Sequence, residues 1–347
     1  MKKIIAPVII LAIIFGMISC TDVQGDGMYE VLWEGSSVPE DSNYWNPVWE
    51  PDLSFPVVFE AAVGYYAIGS DKEWTEGLIN TAPVLSSSDL MSWRLRGEAF
   101  EEKPDWSDGR ISTVSAGFAK TKGTYFIFYT LKDAGIGMGA SKAPQGPYTD
   151  FGLLINSNSV GLSVCNNPFF FAFGSRAYIF YQGGDGMYGQ ELLLSKTELA
   201  TLKGDKFKIT GAAINSLNMT RLFDYYYLFG GIDDGDAGRI TIGRALEITG
   251  PFMDQEGSSM LDGEGTLLLR ANSENGFVAA NYIGGILQDS NDDIWITYQA
   301  TDIDKPTLST GDDRYPLLLS KIEFNENGWP TRVFEAKAGW NNPKFAK

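Results

Sequence analysis

A short aromatic segment recurs five times along this chain of 347 residues. Its copies are YYAIGS at 65–70, YFIFYT at 125–130, AYIFYQ at 177–182, YYYLFG at 225–230 and IWITYQ at 294–299. β-Branched and aromatic residues bounded by Gly, Asn and Asp are typical of β-strands. A spacing of roughly 50 to 70 residues suits one four-stranded sheet with its loops. The repeat therefore predicts an all-β fold, a five-bladed β-propeller made of four-stranded antiparallel blades.

Two other architectures also consist mainly of strands, namely a pair of β-sandwiches and a β-helix. Neither explains five copies of one strand at this spacing. The best candidate for a helix is Glu191–Leu199, although its position in the repeat favours a strand. We therefore keep the propeller as the predicted fold.

The first twenty residues have the pattern of an export signal. A basic start at residues 2–3 precedes an apolar run over residues 4–18, followed by Ser19 and Cys20. This arrangement is typical of a secretory signal, because a membrane-spanning helix needs about 20 apolar residues. The ending MISC resembles a lipobox, in which the cysteine becomes lipidated. We expect removal of residues 1–19 and lipidation of Cys20, with an ordinary signal peptide as the alternative.

The export signal sets the expected domain boundaries. Residues 20–42 are rich in Gly, Asp, Ser and Pro and predict a flexible tether behind the lipid. Residues 43–347 then form one propeller domain. The expected location is the outer membrane or cell surface of a Gram-negative bacterium, where the protein is anchored through Cys20.

The charge balance and the absence of histidine exclude several functions. The chain has 27 Lys and Arg, 44 Asp and Glu, and no His, which gives a net charge of −17. Phosphate backbones repel such an acidic chain, so nucleic acid is not an expected partner, whereas a neutral polysaccharide is not repelled. Catalysis by a His base and zinc binding through His are both excluded. With Cys20 lipidated, Cys165 is the only remaining thiol, so no internal disulfide is expected.

Several segments, in order, are similar to those of one enzyme family. They are SDLMSW at 88–93, ASKAPQGPY at 140–148, TGPF at 249–252, RYPLLL at 314–319 and NGWP at 327–330. From about Trp45 to Pro330 the chain resembles the five-bladed glycoside hydrolases of family 43. The resemblance implies a poly- or oligosaccharide partner of the arabinan or xylan type.

The same resemblance locates the catalytic positions, and none of them holds a carboxylate. Members of that family invert, which requires one carboxyl group as a base on water and another as an acid on the leaving oxygen. The base position corresponds to Phe55, the position that tunes the acid to Asn167, and the acid position to Asn215. Two histidines of the family correspond to Gly285 and Gln299. A phenyl ring cannot accept a proton, and an amide has no useful acid–base equilibrium near neutral pH.

These replacements predict a propeller that binds a glycan through Asn167, Asn215 and Phe55 without cleaving it. The alternative is an active inverting hydrolase with a rearranged carboxylate set, in which Asp52, three residues before Phe55, acts as the base. A third hypothesis is a propeller that docks to partners in an outer-membrane uptake assembly.

Three tryptophans and one acidic segment are further candidates for binding. Trp45, Trp49 and Trp106 lie next to predicted strand starts, where aromatic rings could stack on sugars or could instead fill the space between blades. The segment 231–238 (GIDDGDAG) could bind calcium through carboxylates, with a polar turn as the alternative. Its three carboxylates are Asp233, Asp234 and Asp236. No other cofactor is expected.

Overall fold

The five aromatic repeats are the second strands of five four-stranded antiparallel sheets. The computed structural model describes residues 44–271 and 273–334, so the predictions for the signal sequence, Cys20 and the tether lie outside the described residues. In chain order the strands are β1 (Val57–Glu60), β2 (Tyr65–Ile68), β3 (Lys72–Thr75), β4 (Leu78–Asn80), β5 (Pro83–Ser87), β6 (Trp93–Glu98), β7 (Ile111–Ala119), β8 (Thr124–Leu131), β9 (Gly135–Ser141), β10 (Thr149–Ile155), β11 (Asn166–Phe173), β12 (Arg176–Gln182), β13 (Met187–Leu193), β14 (Thr201–Lys208), β15 (Ser216–Leu222), β16 (Tyr225–Ile232), β17 (Arg239–Ala245), β18 (Thr266–Arg270), β19 (Phe277–Gln288), β20 (Ile294–Asp302), β21 (Leu317–Phe324) and β22 (Pro330–Phe334).

Each sheet is one blade. Blade 1 has the order β1-β2-β5-β6 and carries the hairpin β3–β4 as an insertion, while blades 2 to 5 each take four consecutive strands, β7–β10, β11–β14, β15–β18 and β19–β22. The inner strands β1, β7, β11, β15 and β19 contact one another in succession, and β19 returns to β1. The predicted all-β, five-bladed propeller is confirmed.

Helical structure is sparse in the described part of the chain. One turn of α-helix, α1, spans Ser157–Val160, and a 3₁₀ turn spans Ser273–Asn275. Neither has the length that a membrane crossing would need. The segment Glu191–Leu199 is not helical, since its first three residues end β13 and the remainder is a bend.

Strand β8 shows why the repeats are aromatic throughout. Successive side chains of a strand point to opposite faces, and a blade has a neighbouring blade on each face. Phe126 and Phe128 pack with residues of blade 3, whereas Ile127 and Tyr129 pack with residues of blade 1. All eight residues of β8 are buried. A second strand therefore needs apolar side chains at every position, not an alternating pattern.

The residues just before β1 close the ring against the last blade. Val48 donates its backbone N–H to Leu317 O at 2.8 Å, and Leu53 donates to Tyr315 O at 2.8 Å. This segment, residues 44–53, lies beside the first half of β21 and is called the strap below. It connects the start of the propeller directly to its end.

The inner strands define two faces of the propeller. The front face is the one at which the inner strands begin, so it carries the strap, the hairpin β3–β4 and the loop between β16 and β17. The rear face is the one at which the inner strands end in their turns to the second strands. The predicted binding residues Phe55, Asn167 and Asn215 all belong to the front face, because each lies at or directly before the start of an inner strand.

Candidate functional site

The starts of the inner strands have an unusual backbone. Phe55 (φ 50°), Asn167 (φ 48°) and Ala279 (φ 55°) adopt positive φ at the starts of β1, β11 and β19. This conformation is uncommon outside glycine, and Asn tolerates it better than a bulky residue such as Phe. Such backbone outliers concentrate at functional sites. Two of the three catalytic positions inferred from the family resemblance thus share one backbone conformation.

The structure brings Asn167 and Asn215 together across the boundary between blades 3 and 4. Asn167 Nδ2 donates to the backbone oxygen of Asn215 at 2.6 Å, and Asn215 in turn donates its backbone N–H to Gly231 O at 3.1 Å. Within the described chain the side-chain amide of Asn215 has no partner. Asn166, beside Asn167, has a buried Oδ1 that also has no partner among the described residues. A buried acceptor left unpaired points to a ligand or water.

The front opening of the central channel, where Phe55, Asn167 and Asn215 lie, is called the mouth below. A chain of amides connects Phe55 of blade 1 to blade 5 and to the loop after β16. Phe55 donates its backbone N–H to Gln299 Oε1 at 2.7 Å. Gln299 Nε2 donates to Asn281 Oδ1 at 3.1 Å, and Asn281 Nδ2 donates to Asp233 Oδ1 at 3.0 Å. A backbone N–H can only donate and a carboxylate can only accept, so the two ends fix the orientation of both amides. Gln299, which the family resemblance matches to a histidine, is 1% exposed.

Two tyrosines surround the Phe55 ring. Its centroid lies 5.3 Å from that of Tyr282, in an edge-to-face arrangement, and 6.2 Å from that of Tyr315. Burial, together with the negative charges of Asp313, Asp233 and Asp52, raises the pKa of Tyr315 to about 12. The Tyr315 hydroxyl is therefore protonated at neutral pH, and it donates a long hydrogen bond of 3.5 Å to Asp313 Oδ2.

Asp52 is held inside the protein. It is 0% exposed, and both of its oxygens accept hydrogen bonds, from the Ser54 backbone N–H at 3.0 Å, from Ser54 Oγ at 2.9 and 3.0 Å, and from the Tyr315 backbone N–H at 2.7 Å. Burial raises its pKa, although these bonds and the charge of Lys72 act in the opposite direction. The carboxylate fastens the strap to the loop before β21 and does not face an open site.

The three tryptophans have different environments. Trp49 is 6% exposed and belongs to the core, where its indole N–H donates to the Asp52 backbone oxygen at 3.2 Å. Trp106 is half-buried and donates to the Tyr129 hydroxyl at 2.8 Å in the space between blades 1 and 2. Trp45, on the strap, is 67% exposed. Of the three rings, Trp45 presents the largest free surface to a ligand.

The acidic segment after β16 is a turn whose carboxylates act separately. Asp233 accepts from Asn281, Asp234 forms an ion pair with Arg239 at 3.1 Å, and the Asp236 backbone oxygen accepts from Ala279. Across residues 44–271 and 273–334, no three carboxylate, thiol or imidazole groups cluster in a way that could hold a metal ion. These contacts match the interpretation as a polar turn.

Sequence reasoning did not identify Asn281, Asp233, Tyr282 and Tyr315 as part of the mouth. Asn281 and Tyr282 lie on β19 beside a register shift between Val278 and Tyr282, which the repeat does not reveal. Tyr315 directly follows Arg314 in the segment RYPLLL, so it was visible as a motif residue but not as a neighbour of Phe55.

Comparison with known proteins agrees with this geometry. Residues 44–330 match the family model described as glycosyl hydrolases family 43. The chain belongs to this family. Its relatives include the extracellular endo-α-(1→5)-L-arabinanase 1 of Bacillus subtilis, 27% identical over 272 residues that cover 69% of this chain and 79% of the relative. Another is the extracellular exo-α-(1→5)-L-arabinofuranosidase ArbA of Cellvibrio japonicus, 24% identical over 300 residues that cover 73% and 81% of the two chains.

Solved structures share the fold of this family 43 member. An α-L-arabinanase of Cellvibrio cellulosa in complex with arabinohexaose has a TM-score of 0.69 at 20% identity and covers 86% of this chain and 100% of that one. An endo-arabinanase from Bacillus licheniformis has a TM-score of 0.65 at 20% identity and covers 83% and 100%. At these identities the likeness shows the propeller fold, and the residues of the front face must carry any argument about activity.

Proposed function

We propose that this family 43 propeller is a surface lipoprotein that binds an arabinan-type glycan at the front face and does not hydrolyse it. The observation that carries the proposal is that the starts of the inner strands hold Phe55, Asn167 and Asn215, which the family resemblance matches to the base, the modulator and the acid. Relatives named as arabinan-cleaving enzymes support the choice of glycan. The protein would then serve polysaccharide utilisation by capture, as a pseudoenzyme.

The chemistry of the mouth suits hydroxyl groups. The Asn215 amide offers two donors and an acceptor, Asn166 Oδ1 offers a buried acceptor, and the Tyr315 hydroxyl, which donates to Asp313, offers a further acceptor. Sugar hydroxyls both donate and accept, so they can satisfy each of these groups. The exposed ring of Trp45 on the strap adds an apolar surface on the same face.

Hydrolysis with inversion requires two carboxyl groups about 6.5 to 9.5 Å apart, with space for a water between them. Asp52, the candidate base of the alternative hypothesis, has no such space, because three protein donors surround its carboxylate. Asp233 is exposed at the mouth and accepts a hydrogen bond from Asn281. Asp313, which is also exposed, lies beside Tyr315 together with Asp233. Neither carboxylate stands at a position that the family resemblance assigns to the base or the acid, and these facts favour binding over cleavage.

The test is a paired assay on the soluble protein without residues 1–20. The protein is incubated with arabinan, arabinohexaose, arabinoxylan and xylan, and the same samples are followed by calorimetry and by analysis of released sugar. We expect binding heat without product. Asn215→Ala and Asn167→Ala should each weaken binding by about tenfold, which corresponds to one or two lost hydrogen bonds. Gln145→Ala removes an exposed amide from the loop between β9 and β10 and is the matched control.

Released sugar would contradict the proposal and favour the hydrolase. In that case Asp233→Asn and Asp52→Asn would identify the carboxylate responsible. Absence of binding to all four polysaccharides and oligosaccharides, with the protein folded, would instead favour the docking hypothesis.

The lipid anchor is a separate part of the proposal. The basic start, the short apolar run and the MISC ending support it. Cys20→Ser should move the full-length protein from the membrane fraction to the soluble fraction and abolish labelling by a fatty acid. Cys165→Ser, which changes a buried thiol in the propeller, is the control and should leave both unchanged.

A further inference from the structure

A cavity of about 500 Å³ occupies the central channel and opens at the rear face. Its lining comes from the middle and the ends of the five inner strands, so it contains none of Phe55, Asn167 and Asn215. Cavities that bind small ligands have volumes of about 300 to 1,000 Å³. The size of this one therefore suits a small molecule or the end of a chain.

Asn218 is the buried polar residue of this cavity. It lies on β15, where Leu217 and Met219 on either side point into the core between blades 3 and 4. Asn218 therefore points the other way, and it lines the cavity while being only 7% exposed. Its amide makes no hydrogen bond within the part of the chain that the structure describes. Its two donors and one acceptor are therefore open to a ligand in the cavity.

The charged groups of the cavity are all acidic. Glu60, Asp289 and Asp292 line it, and the lining that the structure describes includes neither lysine nor arginine. Asp289 accepts from the backbone of Asn291 and Asp293, and its other oxygen accepts from the Trp295 indole. Its carboxylate therefore serves the turn between β19 and β20.

Asp292 is also engaged, because it accepts from Gln288 Nε2 at 3.2 Å. Glu60 is left as the one lining carboxylate without a hydrogen bond or ion pair among the described residues. Calcium needs about six to eight oxygen ligands, which one carboxylate and an amide do not supply. Phosphates and carboxylated ligands are repelled. A neutral ligand with several hydroxyl groups needs no set of metal ligands and is not repelled by the acidic lining.

The rim adds an aromatic surface. Phe118, at the end of β7, is 41% exposed and lines the cavity, and its ring lies 4.8 Å from that of Tyr125. Phe171 of the neighbouring blade lines the cavity as well. Small-molecule sites typically combine such apolar surfaces with a few polar groups that orient the ligand. The C–H faces of a sugar ring pack on aromatic rings, while its hydroxyl groups reach polar side chains.

We propose that this rear cavity is a second carbohydrate site, which takes one neutral sugar residue through Asn218, Glu60 and Phe118. It is independent of the front-face site, since no residue is shared. Glu60 accepts from sugar hydroxyls, Asn218 donates and accepts, and Phe118 packs on the ring.

The test uses the soluble protein without residues 1–20 and four neutral monosaccharides, L-arabinose, D-xylose, D-galactose and D-glucose. Binding is followed by saturation-transfer NMR and by calorimetry, with D-galacturonate as the charged counterpart of D-galactose. At least one neutral sugar should bind, and Asn218→Ala and Phe118→Ala should each weaken that binding by about tenfold. Gln145→Ala is the control for the amide, and thermal melting confirms that each variant is folded.

Variants at the two sites distinguish binding at the rear cavity from binding at the front face. Asn167→Ala should leave the binding of this sugar unchanged if it occupies the rear cavity, whatever happens at the front face. The proposal is overturned if none of the four sugars binds at tens of millimolar, or if Asn218→Ala and Phe118→Ala leave binding intact. It is also overturned if D-galacturonate binds as tightly as D-galactose, because the acidic lining would then play no part.

Discussion

The two ends of the central channel both present amides and carboxylates, but the front end bonds several of its amides across blades, whereas at the rear end Gln288 bonds to Asp292 within one turn. At the front, Asn167 bonds to the backbone of the next blade and Gln299 joins Phe55 to Asn281. At the rear, Asn218 and Glu60 have no such partners among the described residues. An amide that is hydrogen-bonded within the protein stabilises the local structure, whereas an amide without such a bond is available to a ligand. Amides therefore hold the geometry of the front end, where the family resemblance leads us to expect carboxylates.

The largest effect is expected from restoring the carboxylates at the front end. The triple variant Phe55→Asp, Asn167→Asp, Asn215→Glu supplies a base, a modulator and an acid at the positions that the resemblance assigns. General acid and base groups each contribute about 10²- to 10⁴-fold. We expect arabinan hydrolysis at least about 100-fold above that of the unchanged protein, measured as released reducing sugar. Asn218→Asp places a carboxylate at the rear end instead and should release nothing.

A folded triple variant that cannot cleave arabinan would show that the three positions are not the family's catalytic ones. The two ends of the channel would then differ only in how their amides are hydrogen-bonded.

The next largest effect is expected at the ion pairs that attach the strap at the front end. Arg314, with a side chain 5% exposed, pairs with Glu50 of the strap and with Asp302 at 3.1 Å. Arg314→Ala leaves two partly buried carboxylates without their cation, which should lower the free energy of unfolding by about 3 to 5 kcal/mol. Arg110→Ala removes a half-exposed guanidinium 4.0 Å from Glu73 and should change it by less than about 0.5 kcal/mol. Urea unfolding followed by tryptophan fluorescence measures both, and similar losses would argue against the strap as a structural tie.

Asp52→Asn tests the buried carboxylate of the strap. An asparagine has one acceptor oxygen in place of two, so one of the donors from Ser54 and Tyr315 loses its partner, at a cost of about 1 to 3 kcal/mol. Asp108→Asn, at an exposed front-face position, is the control. Catalytic or binding losses without loss of stability would show that Asp52 serves the site directly.

The cost of Asp52→Asn should depend on pH. Burial raises the pKa of Asp52, so the folded protein holds this proton more tightly than the unfolded chain does. The stability that this proton contributes is present below the ordinary pKa of about 4 and is lost as the pH rises through the raised value. Asparagine does not titrate. The variant should therefore lose more stability, relative to the unchanged protein, at about pH 5 than at about pH 8. If the variant instead loses more stability at about pH 8 than at about pH 5, folding lowers the pKa of Asp52 and the prediction is wrong.

The sequence predicted the propeller because its signal is repeated and local. Strand β8, for example, is buried on both faces, and all its residues except Leu131 are aromatic or β-branched. The three front-face positions could also be located, since Phe55, Asn167 and Asn215 each lie ten residues before the start of an aromatic repeat. The resemblance supplied their roles, and the positive φ of Phe55 and Asn167 distinguishes the same positions.

The environment of individual side chains could not be predicted in this way. Asp52 lies near Phe55 in sequence, but its donors include the backbone of Tyr315, 263 positions later. Trp45 and Trp49 lie on one strap, and only the pairing of the strap with β21 decides that the first is exposed and the second buried. The rear cavity takes residues from all five inner strands, so no single segment of the sequence indicates it.

The smallest effect is expected at the rear end, and it contrasts most directly with the front. Asn218→Ala removes a buried amide that has no hydrogen-bond partner in the described residues, so folding gives up no bond. We expect the free energy of unfolding to change by less than about 0.5 kcal/mol, compared with about 1 to 3 kcal/mol for Gln299→Ala, which leaves the Phe55 N–H and Asn281 Oδ1 unpaired. Both variants are measured in the same urea titration. A large loss for Asn218→Ala would mean that this amide supports the fold, and a small loss for Gln299→Ala would mean that the front amides do not. Either result would remove the distinction between a front end built to hold its shape and a rear end open to a ligand.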